Sequence, residues 1–194
     1  MKKVLSYMNV KSLAYDALVE YAISSLPIRI REDGLRNVYI SSWEKYLLEH
    51  AKPKHSNIFR QDGTVMCLGV NPEARYVIFY HESLPEERKQ WVVAKLLYYI
   101  RCGFAEEHVG EYIIPDEQAK AAEFASFFLC PDAILEECGI RSAEDIMHHC
   151  QVPFPDAMRK ARYLKNGYKR YELPSLEKMV VEQFSHDIQR VKCG

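Results

Sequence analysis

The histidines carry the side chains in this sequence that are best suited to bind a catalytic metal, but their spacing argues against such a site. His81 and Glu82 begin like the zinc-peptidase motif HExxH, in which two histidines on one helix face bind zinc and the glutamate acts as general base. Pro85 stands where the second histidine belongs, and the string follows a predicted strand. We therefore interpret it as coincidental.

His148, His149 and Cys150 form a second group of donor residues, with Cys138 upstream. Adjacent residues on a helix point about 100° apart, so the two histidines cannot easily face one ion together. The pattern favours a helix end with one buried and one solvated histidine. Nucleophilic and nucleotide-dependent chemistry also lack a signature, because there is no GxSxG string and the eight glycines are isolated.

The segment from Arg88 to Ile100 is apolar on nearly every side, which predicts a helix in the middle of a domain, packed against both a sheet and other helices. Proline and acidic residues precede it, and the pair Cys102-Gly103 ends it. Residues 64–70 and 76–80 read as the two strands of an antiparallel hairpin. This helix is thus expected to lie directly after the hairpin.

The other predicted elements are short strands before this helix and mostly helices after it. Further strands are predicted at 28–30 and 38–40, and further helices at 10–22 with Asn9 as the cap, 43–50, 115–129, 132–138, 142–150, 155–165 and 174–190. This order predicts an α+β fold, in which a small antiparallel sheet packs on a central buried helix and a helical C-terminal half follows.

Composition limits the classes of protein to which this sequence can belong. Its 194 residues, 48% hydrophobic and 27% charged, suffice for one well-packed domain. The net charge of −1 provides no general attraction to nucleic acid or to an anionic membrane. No apolar run approaches the roughly 18 residues that span a bilayer. The polar start of the chain and six scattered cysteines, which we expect to be reduced, predict a cytoplasmic protein without a membrane partner.

Two strings of the sequence stand in a recognisable order. Residues 88–99 read RKQWVVAKLLYY after the predicted hairpin, and residues 120–131 read KAAEFASFFLCP. Both resemble the ImmA/IrrE family of zinc metallopeptidases, whose strings are R-x-x-F-T-L-A-H-E-L-G-H and close to E-A-N-x-F-A-A-x-L-L-M-P. Phe124, Ala125, Leu129 and Pro131 match in order. The resemblance covers residues 10–166 and implies a zincin-like metallopeptidase fold.

The residues that bind zinc in that family are replaced in this sequence. Lys95 and Tyr99 stand for the two histidines, Leu96 for the general base and Lys120 for the acidic third ligand. A protonated lysine has no free lone pair, and a neutral tyrosine is a poor zinc ligand at neutral pH. These four are therefore degenerate-site positions, and we expect no catalytic residue, no metal and no cofactor.

The replacements also predict what fills the former metal pocket. If the family's geometry is kept, Lys95 and Lys120 face each other, and two ammonium groups need a carboxylate between them. We hypothesise a charged or hydrogen-bonded cluster at this place, although both lysines could instead extend to the surface. The residues that could line it are Tyr98, Tyr99, His108, Glu117, Glu123 and the Glu106-Glu107 pair.

The resemblance implies a catalytically inactive metallopeptidase homologue that binds a protein partner, with the transcriptional repressor of a prophage or other mobile element as the expected partner. An active hydrolase with a non-standard site is one alternative. A DNA-binding regulator that uses the basic helices at 155–170 is another. Met158, Ala161 and Leu164 are expected to give that helix a buried apolar face, which leaves its charges solvated and makes nucleic-acid binding by this chain alone unexpected.

The expected organisation is one peptidase-like domain over residues 1–166, with a mixed α/β part to about residue 103 and a helical part from about residue 104. A helical extension at 167–194 is expected to pack on the same domain through an apolar stripe. The members of that stripe are Leu176, Met179, Val180 and Phe184. The oligomeric state is left open.

Overall fold

In the part of the chain that the structure describes, four short strands form a mixed sheet. They are β1 Val38–Ser42, β2 Gly63–Cys67, β3 Tyr76–Tyr80 and β4 Tyr112–Ile113, in the order β1-β3-β2-β4. β2 pairs antiparallel with β3, as the predicted hairpin requires, and β4 pairs antiparallel with β2. β1 instead runs parallel to β3. A purely antiparallel sheet is therefore the wrong prediction. The helix α2 (Trp43–Glu49) and the strand β2 lie between β1 and β3 along the chain, and parallel strands need such a crossover in place of a tight turn.

This computed structural model describes residues 9–31, 35–49, 62–69, 75–113, 119–166 and 172–193. The chain divides into two compact units. The sheet unit contains the described residues of Ile30–Ala122, and the helical unit contains those of Ser6–Arg29 and Glu123–Gly194. The domain boundaries expected near residues 103 and 166 stay predictions. Residues 71–74, in the turn of the predicted hairpin, lie outside the described residues.

Residues 28–30 form no strand, contrary to the prediction. Ile28 and Ile30 are buried, as their alternation with Arg29 indicates. The backbone N–H of Ile30, however, donates to Oε1 of Gln90 at 2.9 Å. A buried glutamine thus satisfies the donor that a neighbouring strand would otherwise bind.

Helix α3 (Glu86–Arg101) packs on β2 and β3 and carries the longest buried run of the sheet unit's described residues. Side chains of α3 come close to the sheet at Gly63. A Cβ atom there would lie 2.5 Å from the backbone oxygen of Phe79, 2.7 Å from Cγ1 of Val92 and 3.1 Å from Cδ1 of Leu96. Only glycine fits this position without a shift of its neighbours. Arg88 at the start of α3 binds Asp62, with Nη2 2.5 Å from Oδ2.

The remaining helices of the described chain lie close to the predicted boundaries, except for a four-residue helix after α3, which has no predicted counterpart, and for the C-terminal segment. They are α1 Val10–Glu20, α4 Phe104–Glu107, α5 Ala119–Leu129, α6 Asp132–Cys138, α7 Ala143–Cys150, α8 Phe154–Asn166, α9 Pro174–Gln183 and α10 Ser185–Cys193. Asn9 caps α1 as expected, since its side chain accepts from the N–H of Lys11 at 2.8 Å. Ser142 caps α7 in the same way, through Asp145 N–H at 3.0 Å.

The C-terminal segment differs from the single predicted helix, because α9 ends at Gln183 and α10 begins at Ser185. Val180 and Phe184 are fully buried, whereas Met179, expected in the same stripe, is 46% exposed. α9 packs against α1 and α6, and α10 packs against α6. Across the described ranges, no helix is both long and apolar enough to cross a membrane.

Candidate functional site

The positions that correspond to the zinc ligands lie on α3 and at the start of α5. Leu96, in place of the general base, is fully buried and packs against the sheet beside Gly63. Tyr99 is 2% exposed and Lys95 is half-buried. Lys120 is exposed on the first turn of α5. The hypothesis that the two lysines form a buried pair stays a prediction, and it gains no support from the exposure of Lys120.

An aromatic cluster surrounds the C-terminal end of α3. The ring centroids of Tyr98 and Tyr99 are 5.6 Å apart, those of Tyr99 and Phe104 5.7 Å, and those of Phe104 and His108 4.3 Å. Nδ1 of His108 lies 3.0 Å from the backbone oxygen of Phe104. The structure thus joins three predicted pocket residues through Phe104, which the sequence reasoning missed. Its position four residues before His108, on one helical turn, was the available signal.

The carboxylates proposed for the former metal pocket are placed differently. Glu117 lies outside the described residues, and Glu123 is exposed on α5. Glu106 accepts a hydrogen bond from the hydroxyl of Tyr76 at 2.5 Å. Within the described part of the chain, no three His, Cys, Asp or Glu side chains converge as a metal site would require.

His81 binds a carboxylate of the sheet unit, with Nδ1 3.1 Å from Oε1 of Glu44. The other oxygen of Glu44 accepts from the backbone N–H of Glu82 at 3.1 Å. Partial burial acts to raise the pKa of Glu44, but hydrogen bonds from the N–H groups of Glu44 and Glu82 and from His81 outweigh it and lower the pKa. The His81-Glu82 string therefore has a local structural role.

His148 is exposed and His149 is half-buried, and their rings are inclined by 82°. This arrangement agrees with one helix-end histidine in solvent and the other against the protein. Cys150, on the same helix, is buried beside Cys130. The hydrogen bond with the Cys130 thiol and the burial raise the pKa of Cys150 well above its ordinary value, which keeps this thiol protonated and unreactive.

A basic groove lies between the start of α7 and the C-terminal half of α8, and its volume is about 620 Å³. Three cations line it: Arg141, Arg162 and Lys165. Arg141 is already paired, with Nη2 2.5 Å from Oε1 of Glu136. Among the described residues, Arg162 and Lys165 form no ion pair. The other lining residues, apolar except for the last, are Ala143, Met158, Ala161, Leu164 and Asn166.

The exposed face of α8 continues this groove with large apolar side chains. Phe154 is 44% exposed and Met158 is 43% exposed, one helical turn apart. On α7, Met147 is 40% exposed. We call the row Phe154, Met158, Arg162 and Lys165 the α8 stripe. Its first half is apolar and its second half is cationic.

The opposite face of α8 is buried and polar. Asp156 and Lys160 are 6% and 2% exposed, with Ala157 between them. Nζ of Lys160 donates to Oδ1 of Asp132. This helix was expected to bury Met158 and to solvate its charges, and both expectations are wrong at these positions. Lys160 is buried because it pairs with Asp132, a fully buried carboxylate at the start of α6 that would otherwise lack a compensating charge at that oxygen.

Asp132 and Lys160 belong to a larger buried ion cluster that fixes α8. Nζ of Lys11 lies 2.8 Å from Oε1 of Glu177 and 3.5 Å from Oδ2 of Asp132. All four side chains are at most 5% exposed. The cluster thereby connects α1, α6, α8 and α9. Two lysines bridged by a carboxylate are what the sequence predicted for Lys95 and Lys120, but this bridge forms with other lysines.

Comparison with protein-family models, with characterised proteins and with solved structures finds no match to this chain.

Proposed function

We propose that this chain is a non-catalytic protein that acts by binding another protein through the α8 stripe and the adjoining groove. The observation that carries the proposal is the exposure of Phe154 and Met158 on a helix whose other face is fixed in the core. Large apolar side chains in solvent, rimmed by charges, mark interaction surfaces. Met158 lines the groove, and Phe154 lies one helical turn before it on the same face of α8.

The chemistry of the replaced positions supports the non-catalytic part of the proposal. At the places where the resembled family has two histidines and a glutamate, this chain has Lys95, Tyr99 and Leu96. Leu96 is buried against the sheet and has no atom that could take a proton from water. Zinc-assisted hydrolysis needs three donors and a base, and this helix supplies neither.

The partner that we propose is a transcriptional regulator of a mobile element. Its support is the resemblance to a family that acts on such repressors, and this is an argument by analogy. Loss of the metal ligands would remove cleavage and leave recognition, so that the chain would hold a regulator without destroying it.

DNA binding is a second candidate function, because α7 and α8 have helix-turn-helix proportions. An eight-residue helix, the turn at 151–153 and a thirteen-residue helix follow one another, and Arg162 and Lys165 are available for phosphates. The N-terminal residues of a recognition helix contact base edges, however, and here that end exposes Phe154 and Met158. The apolar end favours a protein partner.

Photo-crosslinking distinguishes a docking surface from an ordinary exposed residue. A photoreactive phenylalanine analogue replaces Met158 in one variant and Met179, which is similarly exposed on α9, in the control. We expect one protein to be captured from the native host at position 158 and not at 179. The captured protein is then purified and titrated against Met158→Asp and Met179→Asp. Burying one such side chain stabilises a complex by about 1.5–3 kcal/mol, so Met158→Asp is expected to weaken binding at least tenfold. Equal binding by the two variants would refute the proposal.

A further inference from the structure

We infer that the α8 stripe and its groove bind an acidic amphipathic helix of the partner protein. In this complex, apolar side chains of the partner pack on Phe154 and Met158, and its carboxylates pair with Arg162 and Lys165. The inference rests on the proposed function and adds the chemistry and shape of the segment that is recognised.

The order of the stripe determines the order of the partner's residues. Its four members lie at i, i+4, i+8 and i+11 and therefore share one face of α8. With a rise of about 1.5 Å per residue, the apolar pair spans about 6 Å and the whole stripe about 16 Å. A partner helix of about three turns covers this length, with its apolar residues at one end and its acidic residues at the other.

The charges of the groove select an anionic partner. No carboxylate lines the groove, and two of its three cations are without an ion pair in the part of the chain that the structure describes. Glu136 already neutralises Arg141, so Arg162 and Lys165 remain to attract the partner. Opposite charges across an interface steer association and fix the register of the two surfaces.

The shape of the surface favours a helix over an extended peptide. A peptide that binds as an added strand needs an exposed sheet edge, and here the walls are the helices α7 and α8. Ala143 and Ala161 line the groove with small side chains, which lets a second helix approach closely. The i, i+4 spacing of Phe154 and Met158 forms the kind of ridge that packs into the groove of another helix.

Labelled synthetic peptides test the inference in a fluorescence anisotropy titration with the full chain. Two probes carry leucines at i and i+4 and glutamates at i+8 and i+11 of one helical face, in forward or reversed order, because a helix can bind parallel or antiparallel to α8. A third probe has the same composition but its glutamates on the opposite face. A fourth probe has lysines in place of the glutamates. We expect one of the first two to bind saturably and at least tenfold more tightly than the third and fourth.

Charge reversal in the protein identifies the contact. Arg162→Glu is expected to weaken the glutamate probe about tenfold and to strengthen the lysine probe, whereas Lys178→Glu, on α9, leaves both unchanged. Lys178 is a suitable control because its side chain is 77% exposed and lies in another helix. Circular dichroism checks that both variants keep the helical content and thermal midpoint of the parent chain. A merely structural role of Arg162 would not reverse the preference between the two probes.

Three results would overturn the inference. The first is that neither matched probe binds saturably, and the second is that Arg162→Glu leaves the affinity for the matched probe unchanged. The third is that the peptides do not bind while duplex DNA does, in a manner that Arg162→Glu abolishes. If the crosslinked protein still binds in a Met158-dependent manner, the proposed function survives such a result. Loss of that dependence as well would overturn both.

Discussion

The buried ion pair between Lys160 and Asp132 offers a sharp test of how α8 is fixed. Lys160→Met keeps the length of the uncharged stem, with sulfur in place of Cδ, and removes the ammonium group. Asp132 is fully buried, so its remaining cation is Lys11, whose Nζ lies 3.5 Å from the other carboxylate oxygen. Removing one partner of a buried pair costs about 3–5 kcal/mol, because the other charge is left uncompensated.

Two features of the structure set the expected loss within that range. The Lys11 contact compensates Asp132 in part and moves the expectation toward the lower end. In the opposite direction, the ammonium of Lys160 lies 4.5 Å from the ring centroid of Phe127 and 5.4 Å from that of Tyr163. Such contacts contribute about 0.5–2 kcal/mol, and the variant loses both. We therefore expect a loss of about 3–5 kcal/mol in the free energy of unfolding.

Urea unfolding followed by far-ultraviolet circular dichroism measures this loss. Lys178→Met is the control, since its ion pair with Glu182 is exposed and surface pairs contribute less than about 1 kcal/mol. In the double variant with Asp132→Asn, the stranded charge is gone and we expect part of the stability to return. A Lys160→Met loss no larger than the control's would refute the reasoning, because the buried pair would then contribute nothing to the position of α8.

Three further predictions follow from the same contacts. Gly63→Ala is expected to lower the free energy of unfolding by about 1–3 kcal/mol, because the added Cβ would meet a backbone oxygen at 2.5 Å. Gly69→Ala is the control and tolerates the methyl group, since no heavy atom lies within 4 Å of its added Cβ. Equal urea midpoints of the two variants would contradict this prediction. The pKa of Glu44 is lowered in the folded chain, so the ionised carboxylate stabilises the fold above the ordinary pKa of 4.5, and this stabilisation is lost as the pH falls. Glu44→Gln should therefore flatten the acid side of a stability–pH profile. An unchanged profile would count against the His81 contact. A thiol reagent should modify exposed Cys193 in the native chain and reach buried Cys130 and Cys150 only in denaturant. Peptide mass mapping measures which thiols are modified. Modification of Cys150 in the native chain would disprove that burial shields it.

Local signals predicted the helices well, because each signal acts within one turn. Asn9 and Ser142 cap the first turns of α1 and α7 through their own side chains. Gly139 ends α6 with a φ of 74°, a backbone conformation that glycine adopts without strain. The direction of β1 could not be predicted in this way. Its parallel pairing depends on the return path of the chain, and alternation within a strand carries no information about that path.

The buried face of α8 shows why the candidate site was only partly predictable. A residue pattern assigns lysine to solvent and methionine to the core, and here Lys160 is 2% exposed while Met158 is 43% exposed. The cause is Asp132, which lies 28 residues earlier in the sequence and meets Lys160 only after folding. Pairing over such a distance leaves no periodic signal, so the sequence pattern assigns Lys160 to solvent and Met158 to the core, the reverse of what the structure has.

The most direct measurement for the whole account is native mass spectrometry of the purified chain mixed with the protein captured at Met158, sampled over time. We predict a complex in which both proteins keep their full mass, and its loss in Met158→Asp but not in Met179→Asp. Cleavage of the partner by the chain, or a complex that persists in Met158→Asp, would contradict the claim that this protein acts by binding through α8 without catalysis.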